Sequence, residues 1–267
     1  MIDTHCHLSH PDFEPDREEV VARSWAGGVS AILEVGYSVE TSRAAIRLSR
    51  AHPEGIRAAV GIHPHEAGRA TDLDSREIEA LSREPEVVAI GETGLDFYRD
   101  WAPRDRQLAL FTRTVGFARE RGLPLVVHDR EAHDDVLRIL ETEGRGAVQG
   151  IFHCFSGDLL VARRAVAMGF YLGLGGSITY MNPRKKKGRM LAELPLDRLV
   201  LETDAPWLSP EPEKGMRNEP ARMRHVVARL AETLGMDAEI LVRRTSENAA
   251  RLFSHASPWP PRGLHDG

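Results

Sequence analysis

A (β/α)8 barrel, an α/β fold built as a single domain, is the architecture this sequence predicts. Three observations point to it. Apolar, β-rich segments alternate with helical patterns along the chain, which argues for parallel βα units and against separate domains. Eight such strand segments can be counted, and the 267 residues match the roughly 250 that one barrel needs. Five of these segments end in side chains able to hold a metal ion, and the C-terminal ends of the strands are where a barrel builds its site.

The strands are expected at Met1–Leu8, Ser30–Val35, Ile56–Ile62, Val87–Glu92, Leu125–His128, Val148–His153, Phe170–Leu174 and Leu199–Thr203, each a run of β-branched or other apolar residues. Helical periodicity covers Arg17–Ala26, Thr41–Ala51, Pro103–Arg121, Ala132–Glu143 and Leu159–Met168. Glycines follow these helices at Gly27-Gly28, Gly122 and Gly169, where a left-handed residue ends a helix, and Pro53 and Pro124 prevent continuation. Two further helices, Pro220–Leu234 and Asp237–Phe253, follow strand eight. The barrel domain is therefore placed at 1–255. Residues 256–267, with Ser257-Pro-Trp-Pro-Pro-Arg-Gly, form an irregular C-terminal tail.

Composition narrows the class further. Hydrophobic residues at 42% and charged residues at 28% are ordinary for a globular protein and exclude disordered and fibrous classes. The net charge of -5 supplies no global field for nucleic acid, so phosphate must be met locally, by a metal cluster or a patch. Cys6 and Cys154 each neighbour a histidine on a strand and alternate away from it, so they read as packing residues and not as a disulfide. Met1 runs straight into the first strand, and no apolar run approaches the roughly 18 residues of a membrane span. A cytoplasmic, non-membrane protein is expected, with a monomer as the expected state.

The strand ends carry the chemistry. On an extended strand residues i and i+2 share a face, so His5 and His7 point the same way, about 6 to 7 Å apart. Strand four ends in Gly-Glu92-Thr-Gly-Leu-Asp96, strand five in His128-Asp-Arg130, strand six in Phe-His153-Cys-Phe and strand eight in Glu202-Thr-Asp204. Six candidate ligands, His5, His7, Glu92, His128, His153 and Asp204, exceed what one ion takes from a protein when it keeps a position for water. Two ions about 3.5 to 4 Å apart use them economically. Glu92 is then the bridging carboxylate, with His5, His7 and Asp204 on one ion and His128 and His153 on the other. Histidine-rich ligation suits zinc, nickel or manganese, while the carboxylates also admit magnesium.

Other residues at this face have supporting roles in the reading. His63 and His65 end strand three on one face, outside the metal set, and His65 is read as meeting a substrate phosphate or ordering the metal water, with loop packing as the alternative. Arg130, two residues beyond His128, offers a planar fork to a phosphate, with a salt bridge in the barrel mouth as the alternative. Glu202 orients a ligand without holding the metal, and Asp96 fixes the loop or a ligand. Tyr98, Trp101 and Trp207 can stack bases or pack the mouth. The run Arg184-Lys-Lys-Lys-Gly-Arg189 is expected in a loop after strand seven, as a solvated face or a contact for a nucleic-acid backbone.

Eight collinear motifs, Asp-Thr-His-Cys-His, Gly-Ile-His63-Pro-His65, Gly-Glu-Thr-Gly-Leu-Asp-Phe, His128-Asp-Arg130-Glu-Ala, His-Cys-Phe-Ser-Gly, Glu-Thr-Asp-Ala-Pro, Arg217-Asn-Glu-Pro and Asn248-Ala-Ala-Arg-Leu-Phe, give the chain a family resemblance. From residue 2 to about residue 253 it resembles the TatD-type deoxyribonucleases of the amidohydrolase superfamily. The segment around Asn182-Pro183 departs from that family's pattern, in which alanine follows the asparagine and the helix is less basic. The resemblance implies a (β/α)8 barrel, a divalent-metal centre and hydrolysis of phosphodiester bonds in DNA, often from the 3′ end.

The expected chemistry is attack of a metal-activated water on the phosphodiester, with Asp204 taking its proton. One alternative within enzymes is a related metal-dependent hydrolase of another ester or amide, such as an aminoacyl ester on RNA. Glu92 in place of a bridging lysine disfavours a phosphotriesterase-like site. The other alternative is a non-catalytic nucleic-acid-binding protein stabilised by metal.

Overall fold

The computed structural model describes residues 1–99, 101–182 and 186–254, with positions 186–188 described as helical backbone alone. Eight parallel strands pair in sequence order: β1 (Ile2–Cys6), β2 (Ala31–Val35), β3 (Ile56–Val60), β4 (Val87–Asp96), β5 (Leu125–Arg130), β6 (Gly150–Phe152), β7 (Tyr171–Leu174) and β8 (Leu199–Leu201). Around them stand α1 (Arg17–Ala26), α2 (Val39–Ala51), α3 (Asp72–Leu81), α4 (Arg104–Arg121), α5 (His133–Gly144), α6 (Leu159–Ala167), α7 (Lys186–Leu191), α8 (Met223–Leu234) and α9 (Ala238–Phe253). Among the described residues no helix is long and apolar enough to cross a membrane.

Side-chain alternation sorts the barrel into two apolar layers. One lies between strands and helices, with Leu125, Val127, Leu172 and Leu199 meeting Phe111, Val136, Leu230 and Leu241. The other is the inward set, including Leu33, Val88, Val126, Ile151, Tyr171 and Val200, joined at one end by Ala249, Leu252 and Phe253 of α9. Stepping two residues along from the inward Val126, Ile151 and Val200 reaches His128, His153 and Glu202. The inward face thus changes from apolar to polar where the strands end.

The seam between β8 and β1 is closed by the site segments themselves. Asp204 N donates to His5 O at 2.9 Å, and His7 N donates to Ala205 O at 2.9 Å. Asn218, fully buried, ties down the chain beyond β8: its Nδ2 donates to Thr203 O at 2.9 Å and to Trp207 O at 2.8 Å. Next to it Arg217 grips both carboxylate oxygens of Asp16 at 2.7 Å, joining this loop to the start of α1. Asn218→Ala strands two carbonyls and is expected to remove about 1–3 kcal/mol of stability. Urea unfolding checks it, through a lowered midpoint at unchanged slope.

Three stretches differ from the sequence reading. Helix α3 occupies 72–81, which periodicity does not single out; it is short and acidic, and buries only Ile78. Strand β4 runs on to Asp96 because Thr93, Gly94, Leu95 and Asp96 keep pairing with β5 beyond Glu92. Part of the basic run after β7 is helical, as α7, rather than loop. Arg184 and Lys185 of that run, and the tail at 256–267, lie outside the described residues.

Candidate metal centre

The turn that follows β1 is shaped by a buried acid. Glu34, at the end of β2 and 1% exposed, accepts hydrogen bonds from Leu8 N and Ser9 N, both at 2.7 Å. His7 is oriented from behind by Val35 O, 2.7 Å from its Nδ1. A carbonyl only accepts, so Nδ1 carries the proton and Nε2 turns a lone pair into the mouth. There it lies 2.9 Å from His5 Nε2. Asp3, fully buried, accepts from Thr203 Oγ1 at 2.6 Å and from Thr203 N at 3.0 Å, locking β1 to the end of β8.

Glu92 stands at the centre, and its two oxygens face different groups. Oε2 is 3.4 Å from His5 Nε2 and 3.8 Å from His7 Nε2. Oε1 is 2.9 Å from His128 Nδ1 and 3.4 Å from His63 Nε2. Asp204 closes the first group, its Oδ1 lying 3.6 Å from His7 Nε2, 3.8 Å from His5 Nε2 and 3.7 Å from His153 Nε2. The backbone of Asp204 has φ +58, a left-handed turn that aims the carboxylate across the mouth. Asp96 closes the second group. Its Oδ2 is 2.8 Å from His65 Nε2 and 3.2 Å from His128 Nε2, while Oδ1 accepts from Tyr98 N and Arg99 N.

His153 stacks on His5 with ring centroids 3.5 Å apart, so its contacts lie with His5, Asp204 and Glu202; the sequence reading paired it with His128. Glu202, fully buried, accepts from Cys154 N at 2.6 Å, and its Oε1 lies 3.1 Å from His153 Nδ1, at an angle too bent for a hydrogen bond. Glycine at 173 leaves it room: a Cβ there would stand 2.3 Å from Glu202 Oε2. Glu202 therefore steers the His153 ring. Glu202→Gln is expected to weaken divalent-metal binding by roughly 10- to 100-fold with the fold intact. Calorimetric metal titration beside circular dichroism checks this.

His63 is the residue that the sequence reading did not bring to the centre. The same His-x-His spacing signals it, but alternation misplaces it: β3 ends at Val60, and Pro64 starts a short 3-10 turn with His63 as its N-cap. His63 Nε2 consequently reaches 3.3 Å from His128 Nδ1, and His65 turns towards Asp96. Arg130 makes no salt bridge among the described residues; its guanidinium lies over the Tyr98 ring at 4.2 Å. Both cysteines are free.

The electrostatics favour a cation. Burial pushes Glu92 and Asp204 upward, yet the surrounding histidines outweigh it and hold both carboxyls below their ordinary range. Asp96 is held well below by His128 and His65 despite its burial. The same carboxylates act in reverse on the rings: against burial, Asp96 and Glu92 raise His128 to about 9, and Glu202 and Asp204 raise His153 to about 10. Burial instead lowers His63 to about 4, leaving a neutral ring whose Nδ1 accepts from His65 N.

The residues fit divalent metal. Three sets, His5-His7-Glu92, His5-His153-Glu202 and His63-His65-His128, each bring one ligand atom per residue to within 4.8 Å of the others. Imidazole nitrogens mixed with carboxylate oxygens are the donors that zinc, manganese and nickel take. A hydrophobic core has no use for such convergence of buried lone pairs and negative charge.

Comparison with known proteins gives one consistent result. The family model described as TatD related DNase matches residues 2–254. YabD of Bacillus subtilis, described as a metal-dependent hydrolase, is 42% identical over 253 residues, covering 95% of this chain and 98% of YabD. A Cronobacter sakazakii protein described as the 3′–5′ ssDNA/RNA exonuclease TatD is 38% identical over 263 residues, covering 97% of this chain and 100% of that one. The crystal structure of the TatD homologue YJJV from Escherichia coli K12 superposes with a TM-score of 0.88 at 33% identity, over 95% of this chain and 98% of that one.

Proposed function

We propose that this chain, which belongs to the TatD-related DNase family of metal-dependent hydrolases, removes nucleotides from the 3′ end of single-stranded DNA or RNA at a two-metal centre. The observation that carries the reading is the division of Glu92, with Oε2 turned to His5 and His7 and Oε1 turned to His128. Glu92 Oε2 with His5, His7 and Asp204 would hold one ion and Glu92 Oε1 with His128 the other, while His153, stacked on His5 and 3.7 Å from Asp204, lies with the first group. When bound, the ions lower the pKa of water and neutralise charge on the phosphate.

The chain's own residues supply positioning and proton transfer. Asp204, with 15% of its side chain exposed, is the site carboxylate open to the mouth, and it accepts the proton of the attacking water. His65, partly exposed and held through Nε2 by Asp96, is placed to meet the substrate phosphate. Asp96 holds His65 and His128 on one oxygen, and Glu202 stands against His153 from the other side.

The expected result with protein of defined metal content and 5′-labelled single strands is a ladder shortening one nucleotide at a time. Duplex of the same sequence should be shortened more slowly. Release of internal fragments without a ladder, or an intact strand with every divalent metal tried, would move the assignment to another mode of cleavage or another ester.

A further inference from the structure

We propose that Tyr98, Arg99, Trp101 and Arg130 form a stacking subsite for unpaired bases beside the cleavage centre, and that this subsite selects single strands over duplex. The proposal rests on the nuclease reading above. Trp101 and Tyr98 follow β4 at the barrel mouth and are 65% and 54% exposed. Large aromatic rings in that state gain little from the core and leave ring surface to solvent.

Their surroundings say what they face. Arg130 lies over the Tyr98 ring at 4.2 Å, and Arg99 lies 5.2 Å from the Trp101 centroid and 5.6 Å from that of Tyr98. Both guanidiniums are cationic, at the mouth of a chain whose net charge is -5. Rings for bases next to guanidiniums for the backbone are the means by which proteins hold single strands without reading sequence.

The subsite is joined to the centre by contact. Trp101 meets the His65 ring edge-on at 4.5 Å, and His65 Nε2 is 2.8 Å from Asp96 Oδ2. The other oxygen of Asp96 accepts from Tyr98 N at 3.0 Å and Arg99 N at 2.8 Å, so one carboxylate sets both the platform and the histidines. Across the mouth Trp207, 44% exposed, meets His7 edge-on at 5.1 Å. The cluster therefore lies between two exposed indoles. In a duplex the base faces are covered by their neighbours, and only an unpaired base can turn onto Trp101 while its phosphate enters the centre.

Binding to chelator-treated protein separates this subsite from turnover. The probes are a labelled single-stranded oligodeoxynucleotide, the same length of base-free tetrahydrofuran backbone, and the corresponding blunt duplex. Wild type should bind the base-bearing strand about 10- to 100-fold more tightly than the base-free strand. Trp101→Ala and, independently, Tyr98→Ala should lose most of that preference, while Trp101→Phe keeps it. Arg130→Gln should reduce the slope of log K against log salt by about 0.7.

Equal binding of the base-bearing and base-free strands by wild type, or an undiminished preference in both alanine variants, overturns the proposal. Cleavage of the base-bearing strand by metal-loaded wild type distinguishes the failures. If it is cleaved but shows no base preference, the subsite alone is wrong; if it is not cleaved, the nuclease reading falls with it.

Discussion

Asp204→Asn is expected to lower kcat on single-stranded DNA by about 10²- to 10⁴-fold when variant and wild type are compared at equal metal occupancy. The substitution keeps size and shape and removes a negative charge and a proton acceptor. Three imidazole nitrogens, from His5, His7 and His153, lie within 3.8 Å of Asp204 Oδ1. An amide there keeps one acceptor oxygen for metal but has no basicity to take a proton from water. Metal content measured in both samples separates lost loading from lost chemistry. A variant that holds its metal and still turns over at the wild-type rate removes Asp204 from the role of base.

Glu92→Gln should act more broadly. One oxygen of Glu92 faces His5 and His7 and the other faces His63 and His128, so a single substitution disturbs both halves of the cluster. The amide nitrogen also turns donor hydrogens towards whichever ring pair it faces. Loss of several kcal/mol of charge stabilisation corresponds to a fall of roughly 10³-fold or more in kcat/KM. Equilibrium dialysis should show weaker binding of both ions. Weakened binding of one ion only would restrict Glu92 to one half of the site.

Much of this site could be read from the sequence because strand alternation and barrel geometry are both regular. His5 and His7 share a face by spacing, and each further ligand candidate sits at the end of an apolar run. Parallel strands buried on both sides produce such runs, so the strand ends mark themselves. The order of Glu92, His128, His153 and Asp204 along the chain then becomes their order around the mouth.

What was not legible depended on local turns and on contacts between remote segments. His63 joins the centre through a proline-led turn, where alternation does not apply. Glu34 reads as an ordinary strand residue, and only the fold brings it under Leu8 N and Ser9 N. The position of His153 against His5, instead of beside His128, arises from ring stacking across the barrel. Helix α3 escaped because its stripe contains a single buried residue, Ile78, too little for a periodic signal. Arg130 faces the mouth as its spacing from His128 suggests, but its partner is the Tyr98 ring, and no sequence rule pairs the two.

The most direct test is metal content and turnover measured on the same samples. Protein stripped with a chelator and reloaded stepwise should regain single-strand cleavage in proportion to bound ion, approaching full activity at two ions per chain. Undiminished cleavage by protein with no measurable divalent metal would contradict the account, because the cluster of His5, His7, Glu92, His128, His153 and Asp204 would then have no part in the reaction.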